Sequence, residues 1–371
     1  MADKFLTRID NLAYVTGNKF EKLNIERLKK VATHIREIGQ ENPATINPVR
    51  EKSKAYDNLH EMDLLMLAYC IGLFDNLSKE YNSYAKDVYN EQESIARDNG
   101  ISANKIVPYS ENLTVKQIVS QTIEKTQNSF LNISRTTATS QEYIKAIDKA
   151  VETVTNNLDY EKEMARVINQ LSDKCNRVQY ASGITRRLDS AVRMNMYEGA
   201  RRIQRQINYE QAQRLGMNSV VISAHADCAP DHLEIQGQKY TIEEFDIINS
   251  ELARPIGTLN CRHFEMYTFD FLDNPYSDEY LEQLREQSTE LVNINGKNVT
   301  KYKASQMMRE LETRMRYTLD RIKTSEFARN EENTINQKRL LETQKTAYRE
   351  LCSKAGYKPD WKRVYIKGVN D

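Results

Sequence analysis

Apolar positions recur every three or four residues along most of this chain, on a background that is otherwise charged and polar. Over 19–38, Leu28, Val31, Ala32, Ile35 and Ile38 form one helical stripe. The string E-N-P-A-T-I-N-P then breaks it. Residues 49–98 predict one long helix or a tight pair, with an apolar centre at 64–73, Gly72 as the bend of a pair, and Asp98-Asn99-Gly100 as the stop. Further helices are expected over 113–135, 141–157 and 160–173. Over 181–214 one face carries Ile184, Leu188, Val192, Met196, Ala200, Ile203 and Ile207, again a helix. Near the C-terminus, Ala304, Met308, Leu311, Met315, Leu319 and Ile322 precede a second stripe of Ile335, Leu341, Ala347 and Leu351. These two predict an antiparallel helical hairpin with an a/d-like seam.

One region departs from this period. V-V-I-S at 220–223 reads as a short strand, Gln236-Gly237 as a turn, and 239–242 as a second strand. A helix over 243–251 leads into the loop R-P-I-G-T-L-N-C-R-H, after which 264–271 alternates roughly like a strand. N-I-N-G-K predicts a hairpin, because Asn-Gly supplies the positive φ angles of a tight turn. The expected fold is α+β and predominantly α. It comprises a long helical N-terminal region (1–174), a small α+β module (175–300) and the C-terminal hairpin (301–371).

Composition sharpens this picture. Only 12 Gly and 7 Pro among 371 residues, with 29% charged, fit long helices with wide solvated faces. Lys+Arg and Asp+Glu are balanced at 53 each, which argues against a dedicated nucleic-acid coat protein. No apolar run reaches the roughly 18 residues a membrane helix needs, so no membrane span is expected, and the first residues offer no apolar core of a secretory signal. Five cysteines, odd in number and widely spaced, argue against a disulfide scaffold and for a reducing compartment; Cys70 reads as a core thiol.

The departing region also concentrates the soft-ligand chemistry. Three of the five histidines and two of the five cysteines fall between 225 and 263: His225, Cys228, His232, Cys261 and His263. Imidazole and thiolate are the preferred ligands of Zn²⁺, which takes four in a tetrahedron. A structural zinc would rest on His225, His232, Cys261 and His263, with Cys228 as substitute. Cys261 and His263 are two apart, so both can ligate only if the 260–263 loop curls. The competing reading is that these side chains hydrogen-bond and pack a small β core. Two catalytic readings are weaker. Asp231-His232 with Asn260 and His263 shares residue types with the HNH nuclease set, but without that fold's helix pattern. A Cys-His hydrolase on Cys261 or Cys228 lacks any oxyanion-hole motif. There is no Walker loop, G-x-G-x-x-G or H-E-x-x-H, so no small-molecule substrate or further cofactor is expected. His34 and His60 read as structural.

From 174 to 216, nine Lys/Arg face three Asp/Glu. Arg186, Arg187, Arg193, Arg201, Arg202 and Arg205 form either a solvated helix face or a basic surface for phosphate backbone or an acidic partner.

Four strings carry a resemblance: Y-A-S-G-I-T-R-R-L-D-S-A-V-R (180–193), V-V-I-S-A-H-A-D-C-A-P-D-H-L-E-I-Q-G (220–237), G-T-L-N-C-R-H (257–263) and Y-K-A-S-Q-M-M-R-E-L-E-T-R-M-R (302–316). In order and spacing they resemble the tailed-phage minor capsid protein 2 family, related to the phage Mu F-type head morphogenesis proteins. The likeness is specific over about 175–365; 1–170 matches only as a generic helical half. It implies a virion structural protein, not an enzyme, present in few copies inside the head near the portal vertex, acting in head assembly or DNA ejection. Portal protein and major capsid protein are the implied partners, with packaged DNA as a further one, and assembly would occur in the host cytoplasm. The family usually lacks Cys at position 228, which places its shared site on His225, His232, Cys261 and His263. The alternatives are a phage metal-dependent nuclease or hydrolase using the same cluster, and a DNA-binding protein acting through the basic helix at 186–205.

Overall fold

A computed structural model describes residues 2–101, 105–135, 139–156, 158–175, 177–258 and 261–365. Asn260 lies outside the described residues. The fold is α+β and predominantly α: 71% of it is helical, with ten helices and a few small antiparallel sheets among the described residues. The chain forms two compact units, each assembled from three stretches: 1–13, 71–129 and 194–305 in one, 14–70, 130–193 and 306–371 in the other.

The helices fall where the apolar period puts them. α1 spans Ala2–Gly39, α2 Pro48–Asp98, α3 Leu113–Arg135, α4 Thr139–Thr155 and α5 Tyr160–Lys174. α2 is one continuous helix of 51 residues rather than a pair, and a Cβ at Gly72 would meet open space. Gly100 closes it at φ +75°, where glycine avoids the left-handed penalty.

In the unit holding residues 14–70, the α1 stripe of Leu28, Val31, Ile35 and Ile38 packs with Leu59 and Met62 of α2, Ile147 and Val151 of α4 and Ile168 of α5. His34 is buried in this core: one ring nitrogen lies 2.9 Å from Glu51, the other 2.9 Å from the Tyr143 hydroxyl. α9 (Lys301–Ala328) and α10 (Glu331–Ala355) turn at Arg329, which takes a positive φ. Tyr348 donates to Glu312 (2.8 Å) and Asn333 to Ser325 (2.7 Å), pairings that run in opposite chain directions, as an antiparallel hairpin requires.

One expected boundary moves. Residues 181–187 are not helical: β1 (Arg177–Gln179) pairs antiparallel with β2 (Thr185–Arg187), and α6 starts only at Leu188 and runs to Leu215. Ser182-Gly183 makes the turn, with Gly183 at φ +80°. Ile184, which matches the helical stripe by spacing, sits near the hairpin tip 54% exposed.

β2 delivers Arg187 into a buried ionic cluster. Arg187 donates to Asp320 (2.5 Å), Glu21 and Asp189 (3.3 Å), and Arg316 pairs with Asp189. All five side chains are at most 8% exposed. Three carboxylates thus face two buried guanidiniums, with Arg193 at the rim 3.8 Å from Asp189. Burial pushes Asp320 up to about 7, an effect that the arginines offset only in part, and Arg316 is lowered to about 10. Glu21 is held below its usual value because Arg187 and Arg316 outweigh its burial. A carboxyl whose folded value is raised stabilises the fold fully at low pH and loses that contribution as pH rises through the folded value. Fluorescence of the single tryptophan, Trp361 of this unit, should therefore report a melting midpoint that falls between about pH 5 and pH 7 and levels off above that. Asp320→Asn should flatten that slope; an unchanged slope would show that Asp320 is ionised throughout.

In the other unit, β3 (Ser219–Ile222) is the centre of a three-stranded antiparallel sheet of order β4-β3-β5, with β4 at Lys239–Thr241 and β5 at Glu265–Thr268. Val220 and Ile222 share a core with Ala212 and Leu215 of α6, Phe245 of α7 (Ile242–Glu251) and Tyr267. Thr241 and Glu244 cap α7 reciprocally. β6 (Leu291–Ile294) and β7 (Lys297–Thr300) form the Asn-Gly hairpin, with Asn295 and Gly296 both at positive φ. The sequence reading has no counterpart for α8 (Asp278–Thr289), whose buried face is only Leu281, Leu284 and Ser288.

Candidate metal centre

The ligand-type side chains come from two loops flanking the sheet. After β3 the chain passes His225 and turns at Asp227, then enters a short 3-10 turn, Pro230–His232, which buries His232. The second loop precedes β5. Cys261 donates its backbone N–H to the Thr258 carbonyl (3.0 Å). Cys261 Sγ and His263 Nδ1 lie 3.6 Å apart, so the two side chains meet despite their spacing of two.

Three ligand atoms converge. His232 Nδ1 and His263 Nδ1 are 3.3 Å apart, and Cys261 Sγ lies 3.6 Å from His263 Nδ1 and 3.8 Å from His232 Nδ1. Bonds of about 2.05 Å to nitrogen and 2.3 Å to sulfur at tetrahedral angles would set the N···N edge at about 3.3 Å and the N···S edges at about 3.6 Å. The observed triangle matches two of these edges and exceeds the third slightly. All three residues are buried, Cys261 being the most exposed at 8%.

The hydrogen bonds around the triangle fix the tautomers. His232 Nε2 lies 2.6 Å from the Arg254 carbonyl, which can only accept, so Nε2 carries the proton. The backbone N–H of His225 donates to Gln236 Oε1 (3.2 Å), which identifies that atom as the amide oxygen. The same oxygen lies 3.2 Å from His263 Nε2, so His263 is also protonated there. Both Nδ1 atoms therefore present lone pairs to each other, which repel unless a proton or a cation lies between them. An outer N–H held by a carbonyl is the usual arrangement of metal-ligating histidines.

The charges respond accordingly. Burial pushes the Cys261 thiol up, but the His232 ring and the Gly257 and His263 backbone bring it below its usual value. Burial lowers His232, and Cys261 with the Arg254 carbonyl more than restores it. His263 is driven down to about 2 by burial and by the neighbouring imidazoles of His225 and His232, so it stays a neutral donor.

His225 and Cys228 lie outside this triangle. The His225 ring lies against His263 with 4.3 Å between centroids and a tilt of 32°, and its Nδ1 donates to the Ala226 carbonyl (2.7 Å). That leaves Nε2 as a lone pair, buried and without a hydrogen-bond partner. It is the fourth donor atom closest in kind to the other two imidazoles. Cys228 Sγ sits 3.5 Å from His263 Nε2, on the ring edge away from the triangle, and burial pushes its thiol up to about 12. Asp231, which the nuclease-like set would use beside His232, is bound by Arg254 instead (2.9 and 2.5 Å). Gln236 and the Arg254 carbonyl escaped the sequence reading; a carbonyl's role has no sequence signature, and Gln236 read only as a turn residue.

The six arginines have different partners. Arg187 belongs to the buried ionic cluster, Arg193 lies over the Tyr14 ring and donates to Asn18, and Arg186 sits on β2. Arg201 donates to the Thr258 carbonyl (3.1 Å), Arg202 to Glu198 (3.3 Å), and Arg205 pairs with Glu265 (3.3 Å).

The family model for phage minor capsid protein 2 matches residues 76–353, three quarters of the chain, and so takes in the sheet, both ligand loops and most of the C-terminal hairpin. The chain belongs to the phage minor capsid protein 2 family. No curated protein and no solved structure matches it. As a minor capsid protein it is a virion component with a predominantly helical fold. No helix among the described residues of this minor capsid protein is long and apolar enough to cross a membrane.

Proposed function

We propose that this minor capsid protein is an internal structural component of the phage head, placed near the portal vertex and acting in head assembly or DNA ejection by binding rather than turnover. Its α+β module is stapled by one zinc ion on His232, Cys261 and His263, with His225 completing the set and Cys228 as the substitute. The observation that carries the binding reading is the burial of the triangle, since a metal shut away from solvent supports structure and a catalytic one keeps an open position. The metal would lend the short three-stranded sheet stability that its small core lacks. Portal and major capsid proteins are the expected partners, and packaged DNA a further one.

Two measurements test this. Elemental analysis of protein prepared without chelator should give close to one zinc per chain, and a reproducible zero would leave only packing. Antibody against the chain should fail to label intact virions and should label the portal end of opened heads; labelling of the intact outer surface would refute the internal placement.

One observation favours a hydrolytic reading: His263 also lines a cavity of about 1040 Å³. Metal-dependent DNA cleavage that disappears in His232→Ala would establish that reading over the structural one.

A further inference from the structure

We propose that the outward face of α2 pairs antiparallel with the same face of a second copy of this chain. The apolar centre of α2 is buried on one side only. Met62, Met66, Cys70 and Leu73 are at most 7% exposed, whereas Leu64, Leu65, Leu67 and Ile71 are 40–56% exposed. Ala68 and Gly72 lie among the second group, and both are exposed. All belong to one continuous helix, so the helical repeat alone sets their relative placement. At about 3.6 residues per turn, Leu64, Ala68 and Ile71 fall on the side away from Met66 and Leu73.

The size of this face suits a dimer. Four Leu and Ile side chains, each about half exposed, present about 400 Å² of contiguous apolar surface, the scale at which a patch marks an interaction site. Two such faces with their flanking turns would bury about 1,000 Å² on pairing, the lower bound for a specific interface. The shape is self-complementary as well. The bulky residues lie toward the N-terminal end of the patch, and the smallest, Gly72, lies toward the other. A two-fold axis at Ala68 sets Leu64 of one copy over Gly72 of the other, where a Cβ would meet only open space. Ala68 and Gly72 carry little bulk, so the two helices can approach to about 8 Å.

The charges obey the same axis. Asp57 and Lys79 each stand eleven residues from Ala68, one on either side, and both are exposed. Neither forms an ion pair among the described residues. The axis sets Asp57 of each copy against Lys79 of the other, so two equivalent ion pairs bracket the apolar patch. A parallel pairing in register would instead set Asp57 on Asp57 and Lys79 on Lys79. The antiparallel axis does bring Glu61 toward Asp75, but Lys30 already pairs with Glu61 and offsets that repulsion. The inference stands on α2 alone, and is independent of the zinc centre and of where in the head the protein resides.

The test is sedimentation velocity of the full chain over about 1–100 μM, where a concentration-dependent dimer is expected. Leu64→Gln alters a side chain 52% exposed, and a melting curve confirms that the variant folds. It should weaken dimerisation by about tenfold or more, the scale of a contributing interface contact. Asp57→Lys and Lys79→Glu each turn both ion pairs into repulsions, and each should weaken the dimer by about tenfold. The chain carrying both reversals should recover the dimer, because the axis then pairs the reversed charges with each other. A chain that stays monomeric over this range, or a dimer indifferent to Leu64→Gln, would overturn the inference. So would a double reversal that associates no better than either single one.

Discussion

Cys261→Ser should abolish stoichiometric zinc binding and loosen the sheet-bearing unit, while the C-terminal helical hairpin stays folded. The reasoning runs through donor chemistry. Cys261 contributes the one soft anionic ligand of the triangle, and serine's hydroxyl neither ionises near neutral pH nor suits Zn²⁺. Without the thiolate, two lone pairs at His232 Nδ1 and His263 Nδ1 still face each other at 3.3 Å, with only a hydroxyl proton to relieve one of them. Zinc held by a complete His/Cys site contributes on the order of 10 kcal/mol of apparent binding energy, enough to decide whether a short sheet persists. Hydrogen exchange resolved by segment reads this directly. Amides of β3, β5 and the 224–237 loop should exchange faster in Cys261→Ser, and α9–α10 should be unaffected. A chelator acting on the unaltered protein should reproduce the same pattern. If Cys261→Ser keeps one zinc per chain, the ligand assignment fails; if it loses zinc with no change in exchange, the metal does not brace the module.

His225 should behave differently from the three converging residues. Its ring already lies against His263 and its Nδ1 is committed to the Ala226 carbonyl. Exchange it for alanine and the triangle remains, so zinc affinity should drop without being lost. This ordering separates a three-ligand core with a completing fourth from four equal ligands.

Much of the fold follows from periodicity, because long amphipathic helices write their buried face into the chain every turn. Leu28, Val31, Ile35 and Ile38 are on the page as a stripe and in the structure as a core. The misplaced stretch shows how that signal fails. Ile184 keeps step with Leu188 and Val192, yet Ser182-Gly183 starts a hairpin, and a turn residue outranks one in-phase isoleucine. α8 was invisible for the opposite reason: Leu281 and Leu284 are too few to make a period, and its start is fixed by the Ser277 cap rather than by its apolar content. The continuous α2 shows that a glycine inside a long apolar stripe is a weak argument for a break.

At the candidate site, residue type and clustering pointed to His225, His232, Cys261 and His263, with Cys228 as substitute; the structure brings His232, Cys261 and His263 together and leaves His225 and Cys228 outside the triangle. Spacing argued against Cys261 and His263 sharing a face in an extended segment, yet their ligand atoms lie 3.6 Å apart. The tautomer control by Gln236 and the Arg254 carbonyl is a property of how loops meet, which no linear pattern encodes. Counting charges along the chain does not show where each charge goes. Arg187 has its carboxylates at positions 21, 189 and 320, two of them more than a hundred residues away in the chain, so a local charge excess at 174–216 says nothing about the charge the surface displays.

Arg187→Ala should destabilise its unit by about 3–5 kcal/mol, the range for removing one partner of a buried ion pair. Arg187 is 3% exposed and is the hub of the cluster, touching Glu21, Asp189 and Asp320 at once. Its removal leaves three buried carboxylates against Arg316, with Arg193 only at the rim. Water cannot reach them without opening the core, so the loss is chiefly the cost of the stranded negative charge rather than the worth of the contacts. That distinction has a test. At pH 9, where Asp320 is ionised beside Arg187, Asp320→Asn removes the charge that Arg187 holds most closely, so Asn at 320 should restore part of the stability lost in Arg187→Ala. The double variant should be more stable than the sum of the single losses, by roughly 1 kcal/mol or more. Urea unfolding followed at Trp361 measures all four corners of the cycle. Losses that add, or an Arg187→Ala variant within about 1 kcal/mol of the unaltered protein, would mean that solvent already screens the cluster and that the arginine is held there by packing alone.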